Sequence, residues 1–195
     1  MRHLLLAAAL APFIAAPVAA ESWTLDSETS RIAFGSIKNA YVGEVHTFET
    51  LTGSVSSDGT AEIAIDLASV ETLIDIRNER MIEHVFKGVP AAQITAALDL
   101  SAAQELAVGD MMTTEVDATL SFLGTEVDLY ADMLVVRLTE DRVMALSNDM
   151  AFLETDSIGI DAGIDVLQGL ASLDSIARAV PLTVRFVFDA DKTGL

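Results

Sequence analysis

Residues 69–86 read Ser69-Val-Glu-Thr-Leu-Ile-Asp-Ile-Arg-Asn-Glu-Arg-Met-Ile-Glu-His-Val-Phe86. The stretch begins as the tail of a β-strand and turns into a charged, short helical pattern. From Ile76 to Phe86 a period of 3.6 places Met81, Ile82, Val85 and Phe86 on one face, with Arg80, Glu83 and His84 opposite. Asn78 falls on the apolar side and Arg77 at its border. Asp75 is expected as the N-cap, where an acidic residue also suits the helix dipole. So short a helix is not stable alone in water, so its apolar face must dock on something.

What surrounds it is mostly strand. Before it, Trp23–Asp26 is a short extended piece and Arg31–Ile37 alternates, with Ile32 and Phe34 on one face. Tyr41–Ser56 reads as one long extended stretch carrying Val45, Phe48, Leu51 and Val55, bent at Gly53. Asp58-Gly59 is a hairpin signal, and Ala61–Leu67 alternates with Ile63, Ile65 and Leu67 on one side. After it, Lys87-Gly88 and Pro90 end the helix, Ala92–Leu100 is a strand of unclear register, and Ser101–Asp110 is loop-like. Glu115–Phe122 alternates most cleanly, turns at Gly124-Thr125 and is matched in step by Glu126–Ala131. A turn at Thr139–Asp141 leads to Arg142–Met150. Asp161–Ala179 carries Ile164, Leu167, Leu170 and Ala171 at helical spacing, with Pro181 expected to close it. Leu182–Phe188 is the final strand, with Leu182, Val184, Phe186 and Phe188 on one face.

These eight or nine one-sided strands, joined mostly by hairpin turns, define an all-β protein with minor α. One antiparallel sheet closing on itself removes its edges, and a two-sheet sandwich is the structural alternative. A barrel of about eight strands either packs solid or holds one slender ligand.

Composition narrows the functional classes. Thirty acidic residues stand against eleven basic ones in 195, a net charge of −19, which repels phosphate backbones and argues against nucleic-acid binding. Residues 1–20 have a basic start, an apolar run and Pro17–Ala20 as a small-residue cleavage site, the pattern of a secretory signal peptide. Cleavage after Ala20 leaves a single domain over 21–195, expected to be soluble and periplasmic, and the absence of cysteine makes packing its sole source of stability.

Catalytic motifs are missing. His46 and His84 lie on different segments, no His-Glu-x-x-His occurs, and neither Gly-x-Ser-x-Gly nor a phosphate loop is present. Asp75, Arg77, Glu79 and His84 would compose an acid–base site at a cavity mouth, or a surface ion-pair set around a helix start. No catalytic residue, metal or cofactor is assigned. The inward apolar faces carry the stronger signal: Phe34, Ile63, Ile65, Val116, Leu120, Phe122, Val127, Leu129, Val184 and Phe186 point into one barrel, either filling it or lining a pocket.

Several short motifs then occur in a fixed order: Trp23-Thr-Leu-Asp26, Ser30-Arg-Ile-Ala-Phe34, Ser69-Val-Glu-Thr72, Arg77-Asn78, then Phe86, Val89 and Pro90, and the hairpin around Leu120–Phe122, Gly124-Thr125 and Val127–Leu129. In that order and spacing the mature chain resembles the YceI family of bacterial periplasmic proteins. The resemblance implies an extended eight-stranded antiparallel lipocalin-like β-barrel whose short helices cover a cavity. It implies an isoprenoid chain inside, of a polyprenyl lipid or a quinone, and a binding or carrier role rather than catalysis. Its context is quinone-linked electron transfer or stress response, with an inner-membrane b-type cytochrome as partner; a homodimer is among the oligomeric states left open. Two departures mark this chain: Val89 stands where the family has an aromatic, and Ala91–Ala97 replaces an aromatic-rich strand; smaller residues there are expected to widen the cavity or to alter which ligand fits. The Asp161–Ala179 segment is longer than a minimal version needs and is expected to cover an opening.

The expected cavity wall is therefore Phe34, Phe48, Ile63, Ile65, Arg77, Asn78, Ile82, Val85, Phe86, Val116, Leu120, Phe122, Leu129, Val184 and Phe186. Burying about twenty tail carbons at ~0.8 kcal/mol each gives ~16 kcal/mol gross, enough for affinity from the tail alone. An enzyme acting on a small amphiphile through Asp75, Glu79 or His84, and a packed module docking on a membrane cytochrome, are the rival expectations.

Overall fold

Two-residue periodicity and turn chemistry set the strands. Asp58 accepts hydrogen bonds from Ser56 Oγ and from Thr60 N, closing one hairpin. Leu123 and Gly124 both adopt positive φ, 51° and 81°, as a tight two-residue hairpin turn requires. The structure, a computed structural model, describes residues 22–191; the signal peptide expected at residues 1–20 lies outside them.

The strands are β1 (Trp23–Leu25), β2 (Arg31–Lys38), β3 (Val42–Phe48), β4 (Leu51–Val55), β5 (Thr60–Asp66), β6 (Val70–Glu71), β7 (Ala91–Ala97), β8 (Met111–Phe122), β9 (Thr125–Thr139), β10 (Arg142–Ser147), β11 (Ala151–Glu154) and β12 (Ala179–Ala190). They form one twelve-stranded antiparallel sheet, closed where β12 meets β1. The segments build eight staves, because four staves are broken in two. β1 and β2 pair successive parts of β12, β4 and β3 pair β1 and β2, β5 and β6 pair β4 and β3, and β10 and β11 share the other edge of β12. The expected eight-stranded antiparallel barrel is present.

The breaks are held by side chains. Between β1 and β2, Asp26 accepts from Glu28 N and Thr29 Oγ1, while buried Ser30 Oγ accepts from Val187 N at 2.9 Å and replaces a missing ladder bond. Tyr41–Ser56 is not one strand bent at Gly53. It breaks at Glu49-Thr50, where Glu49 N and Thr50 N donate to the backbone and side-chain oxygens of Ser69. Gly53 lies inside β4, where a Cβ would sit 2.5 Å from the Glu62 carbonyl. Pro181 does not close the helical segment either: it lies within β12 opposite Phe152 of β11, one residue before pairing with β2 begins.

Below the breaks Trp23, Leu25, Val55, Ile63, Phe186 and Phe188 pack solid, and the Arg137 guanidinium lies 5.1 Å from the Trp23 ring centre. Above them the chain leaves the wall at Thr72 and forms α1 (Asp75–Arg80), then one π-helical turn over Met81–Val85, with Phe86 N donating to Met81 O at 2.9 Å. Ile74, not Asp75, is the N-cap and makes no side-chain bond; Asp75 is the first helical residue. The predicted apolar face holds, since Met81, Val85 and Phe86 are buried and Ile82 packs half-buried against the core. A short α2 (Ser101–Gln104) interrupts the loop before β8, and α3 (Asp161–Leu170) crosses the π turn. Gly163 makes that crossing close: a Cβ there would stand 2.4 Å from the His84 carbonyl.

Candidate functional site

The upper half of the barrel encloses a cavity of about 450 Å³. Ile32 and Phe34 from β2, Phe48 from β3, Ile65 from β5, Leu120 and Phe122 from β8, Leu129 from β9 and Val184 from β12 form its barrel wall. Met81, Val85 and Phe86 of the π segment close one side, and Ile164 and Leu167 of α3 close another. The aromatic rings form a continuous chain: Phe34 to Phe48 at 5.3 Å, Phe48 to Phe86 at 5.9 Å, and Phe86 to Phe122 at 6.1 Å between centroids.

Of the residues expected at the site, Phe34, Phe48, Ile65, Arg77, Val85, Phe86, Leu120, Phe122, Leu129 and Val184 line this cavity. Ile63 and Phe186 face inward but belong to the solid lower core. Ile82 packs on the core without lining the cavity, and Val116 lies on β8 beyond the stretch that pairs with β7. Asn78 is turned to the backbone, accepting from Thr72 N at 2.9 Å and from Thr72 Oγ1, which fixes the exit from the barrel wall. Ala92 and Ile94 of β7 line the cavity as well.

A polar cluster sits in the same wall. Glu44 binds Lys38 at 3.0 Å and Arg77 at 2.7 Å, and Arg77 Nη2 also donates to Thr72 O at 2.6 Å. Burial pushes the Glu44 carboxyl up, but the two cations together outweigh it and hold the group below its usual range. His46, 3% exposed, shares a hydrogen bond of 2.9 Å between Nε2 and Ser36 Oγ and packs against Phe34. Burial and the neighbouring Arg77 lower its pKa to about 4, so the ring is neutral at pH 7. His46 Nδ1 and Arg77 Nε are buried without a hydrogen-bond partner among the described residues.

The other candidate set does not converge. Asp75 and Glu79 are exposed and neither lines the cavity, while His84 stands 3.8 Å from Glu83 on the outer side of the π turn. A second depression of about 520 Å³, edged by Thr95, Ala96, Ala97, Asp117, Ala118, Thr119, Asp128 and Leu129, is wide-mouthed and mixed in character, with two carboxylates on its edge.

Sequence reasoning missed His46, Glu44, Leu153 of β11 and the lid residues Ile158, Ile160, Leu173 and Ile176, all of which line the cavity. The lid had a weak signal in the helical spacing of Asp161–Leu170. Its docking depends on Thr155, fully buried and bonded through Oγ1 to Asp161, and on Arg178, which reaches Asp161 O and the Asp165 carboxylate. Thr155 stands six residues from Asp161, and Arg178 seventeen from Asp161 and thirteen from Asp165.

A closed antiparallel barrel with an apolar, aromatic-lined interior and a helical cover defines a lipocalin-like class of protein. Residues 23–188 match the YceI-like domain, and the chain belongs to the YceI family. It is 35% identical to a polyisoprenoid binding domain from Saccharophagus degradans implicated in plant cell wall breakdown, covering 87% of this chain and 98% of that one with a TM-score of 0.84. BcnA of Burkholderia cenocepacia shares the fold at 17% identity and TM-score 0.63, over 84% of this chain and 98% of that one. The Campylobacter jejuni YceI protein does so at 12% and 0.53, over 75% and 84%. No curated protein matches the sequence.

Proposed function

We propose that the chain is a periplasmic carrier, exported by a signal peptide at residues 1–20, that sequesters the tail of a polyisoprenoid lipid or isoprenoid quinone without catalysing a reaction. The observation that carries this reading is the enclosed cavity with its predominantly apolar wall, in a family whose Saccharophagus degradans relative is described as polyisoprenoid-binding. At the ~30 Å³ a liquid water occupies, and similar space for a chain carbon with its hydrogens, about 450 Å³ holds ~15 carbons, or about three isoprene units. Burying them is worth ~12 kcal/mol gross, ample against the cost of immobilising a chain. Longer tails extend through the mouth.

The packed-module reading loses support from the cavity itself, and the enzyme reading from the dispersal of Asp75, Glu79 and His84. Quinone-linked electron transfer, with a b-type cytochrome of the inner membrane taking the quinone, is the setting this reading supplies. Native mass spectrometry of the gently purified protein tests the carrier role. Adduct masses spaced by isoprene units support it; an empty protein that gains no thermal stability from added quinone or polyprenol contradicts it.

A further inference from the structure

The cavity wall is not equally apolar on all sides. On the β2–β3 hairpin the inward rungs change with height: Ile32 pairs with Phe48, then Phe34 with His46, then Ser36 with Glu44, and all six line the cavity. The side chains pass from hydrocarbon to imidazole, hydroxyl and carboxylate toward the hairpin tip. The walls supplied by β8 and α3 stay apolar, with Leu120, Phe122, Ile164 and Leu167. A ligand with one polar end meets a one-sided gradient that fixes its direction. Its tail lies toward the solid lower core and its polar end comes level with Ser36.

Hydrogen bonding at that level is more specific still. His46 is 3% exposed and neutral at pH 7, and a neutral imidazole carries one N–H and one bare nitrogen. Its Nδ1 is buried without a partner among the described residues, whereas Nε2 lies 2.9 Å from Ser36 Oγ. A buried N–H without a partner is rarer than a buried lone pair without one, so the proton belongs on Nε2, which donates to Ser36 Oγ. The serine hydroxyl then accepts from the imidazole and keeps its own hydrogen to donate. Ser36 is half-buried, lines the cavity, and makes no other side-chain hydrogen bond among the described residues. The partner its hydrogen calls for is an acceptor oxygen brought in by a ligand. Charge narrows the kind of acceptor. Lys38 and Arg77 are both held by Glu44, at 3.0 and 2.7 Å, and Glu44 stands opposite Ser36 across the ladder. An anionic head at Ser36 would meet that carboxylate, while the two cations beside it are already engaged.

We infer that Ser36, its hydroxyl oriented by His46, is the head-group contact of the cavity and takes a neutral oxygen, a quinone carbonyl or a prenol hydroxyl, at the end of a tail of about three isoprene units. The inference rests on the carrier reading and deepens it by naming the atom that selects the head. Ser36 is the binding residue, and His46 is a positioning residue that acts through it.

The test compares farnesol, farnesylacetone and α-farnesene, which share a three-isoprene chain and offer a hydroxyl, a carbonyl and no oxygen. Each is titrated against N-phenyl-1-naphthylamine bound to the protein, and displacement is read by fluorescence. In Ser36→Ala, farnesol and farnesylacetone are expected to weaken by ~tenfold while α-farnesene is unchanged, which also shows the barrel intact. His46→Leu is expected to lose the same preference for oxygen, and His46→Gln, whose amide N–H still donates to Ser36, to keep most of it. Nitrogen-15 spectra of the ligand-free wild type are expected to show His46 protonated on Nε2. An oxygen preference that survives both Ser36→Ala and His46→Leu, or a proton on Nδ1, overturns the head-group contact and leaves the carrier reading standing. Farnesyl phosphate binding more tightly than farnesol, and losing that advantage in Arg80→Gln, overturns the neutral head in favour of an anionic one. Failure of all the ligands, α-farnesene included, to displace the probe overturns the carrier reading, and the head-group contact falls with it.

Discussion

His46 stands in an apolar wall with one nitrogen bonded to Ser36 and the other bare, so its protonation is opposed by burial and by the cations Arg77 and Lys38, with Glu44 favouring it. Its pKa of about 4 in the fold lies below the ordinary 6.5. As pH falls through 6.5 the unfolded chain takes up a proton that the folded chain refuses, so stability declines until the pH passes about 4. The full effect is on the order of 3 kcal/mol. Denaturant midpoints at pH 7 and pH 4.5 should therefore differ by more in the wild type than in His46→Gln, which keeps a partner for Ser36 but cannot titrate. Equal pH slopes would show that the ring is not held neutral by its site. Ala92, 3% exposed in the cavity wall, gives a second check. Ala92→Trp fills part of that cavity and is expected, on the carrier reading, to weaken binding of a C15 prenol by ~tenfold or more in a fluorescence titration while the fold persists.

At the scale of elements, the crossing of α3 over the π turn is the joint that keeps the cavity covered. Gly163, the third residue of α3, gives up helix propensity worth at most about 1 kcal/mol against alanine, and its close approach to the His84 carbonyl explains why glycine stands there. Gly163→Ala is expected to lift α3 and to lose about 1–2 kcal/mol net, as overpacking outweighs the propensity gain. Hydrogen exchange should then speed up across residues 160–170 before it does in β8 and β9. The same scale shows what was legible in the sequence. The β8–β9 hairpin was readable because its two strands alternate in step about a tight turn at Gly124. The apolar face of Met81, Val85 and Phe86 was readable from helical spacing, though not its π geometry, which one extra residue per turn creates without a local signal. The break at Glu49-Thr50 was not readable, because Ser69 holds it from another stave. Pro181 looked like a stop, yet β12 admits it just before its pairing with β2 begins.

For the whole molecule, inward orientation was legible and height along the barrel was not. Ile63, Phe186 and Val184 all alternate correctly, but a period of two says nothing about level, and only Val184 reaches the cavity. The polar cluster of Glu44, His46 and Arg77 was hidden for a related reason: β3 and α1 come together only when the barrel closes and the chain turns back at Thr72. The solid lower core and open upper half together make a cup of limited depth, so the barrel should measure tail length. Calorimetric titration of the protein with prenols of one to eight isoprene units tests that account most directly. It predicts affinity that rises steeply with each unit up to about three, set by the ≈450 Å³ available, and only weakly thereafter. Affinity independent of length from the first unit, or no saturable binding at any length, would contradict it.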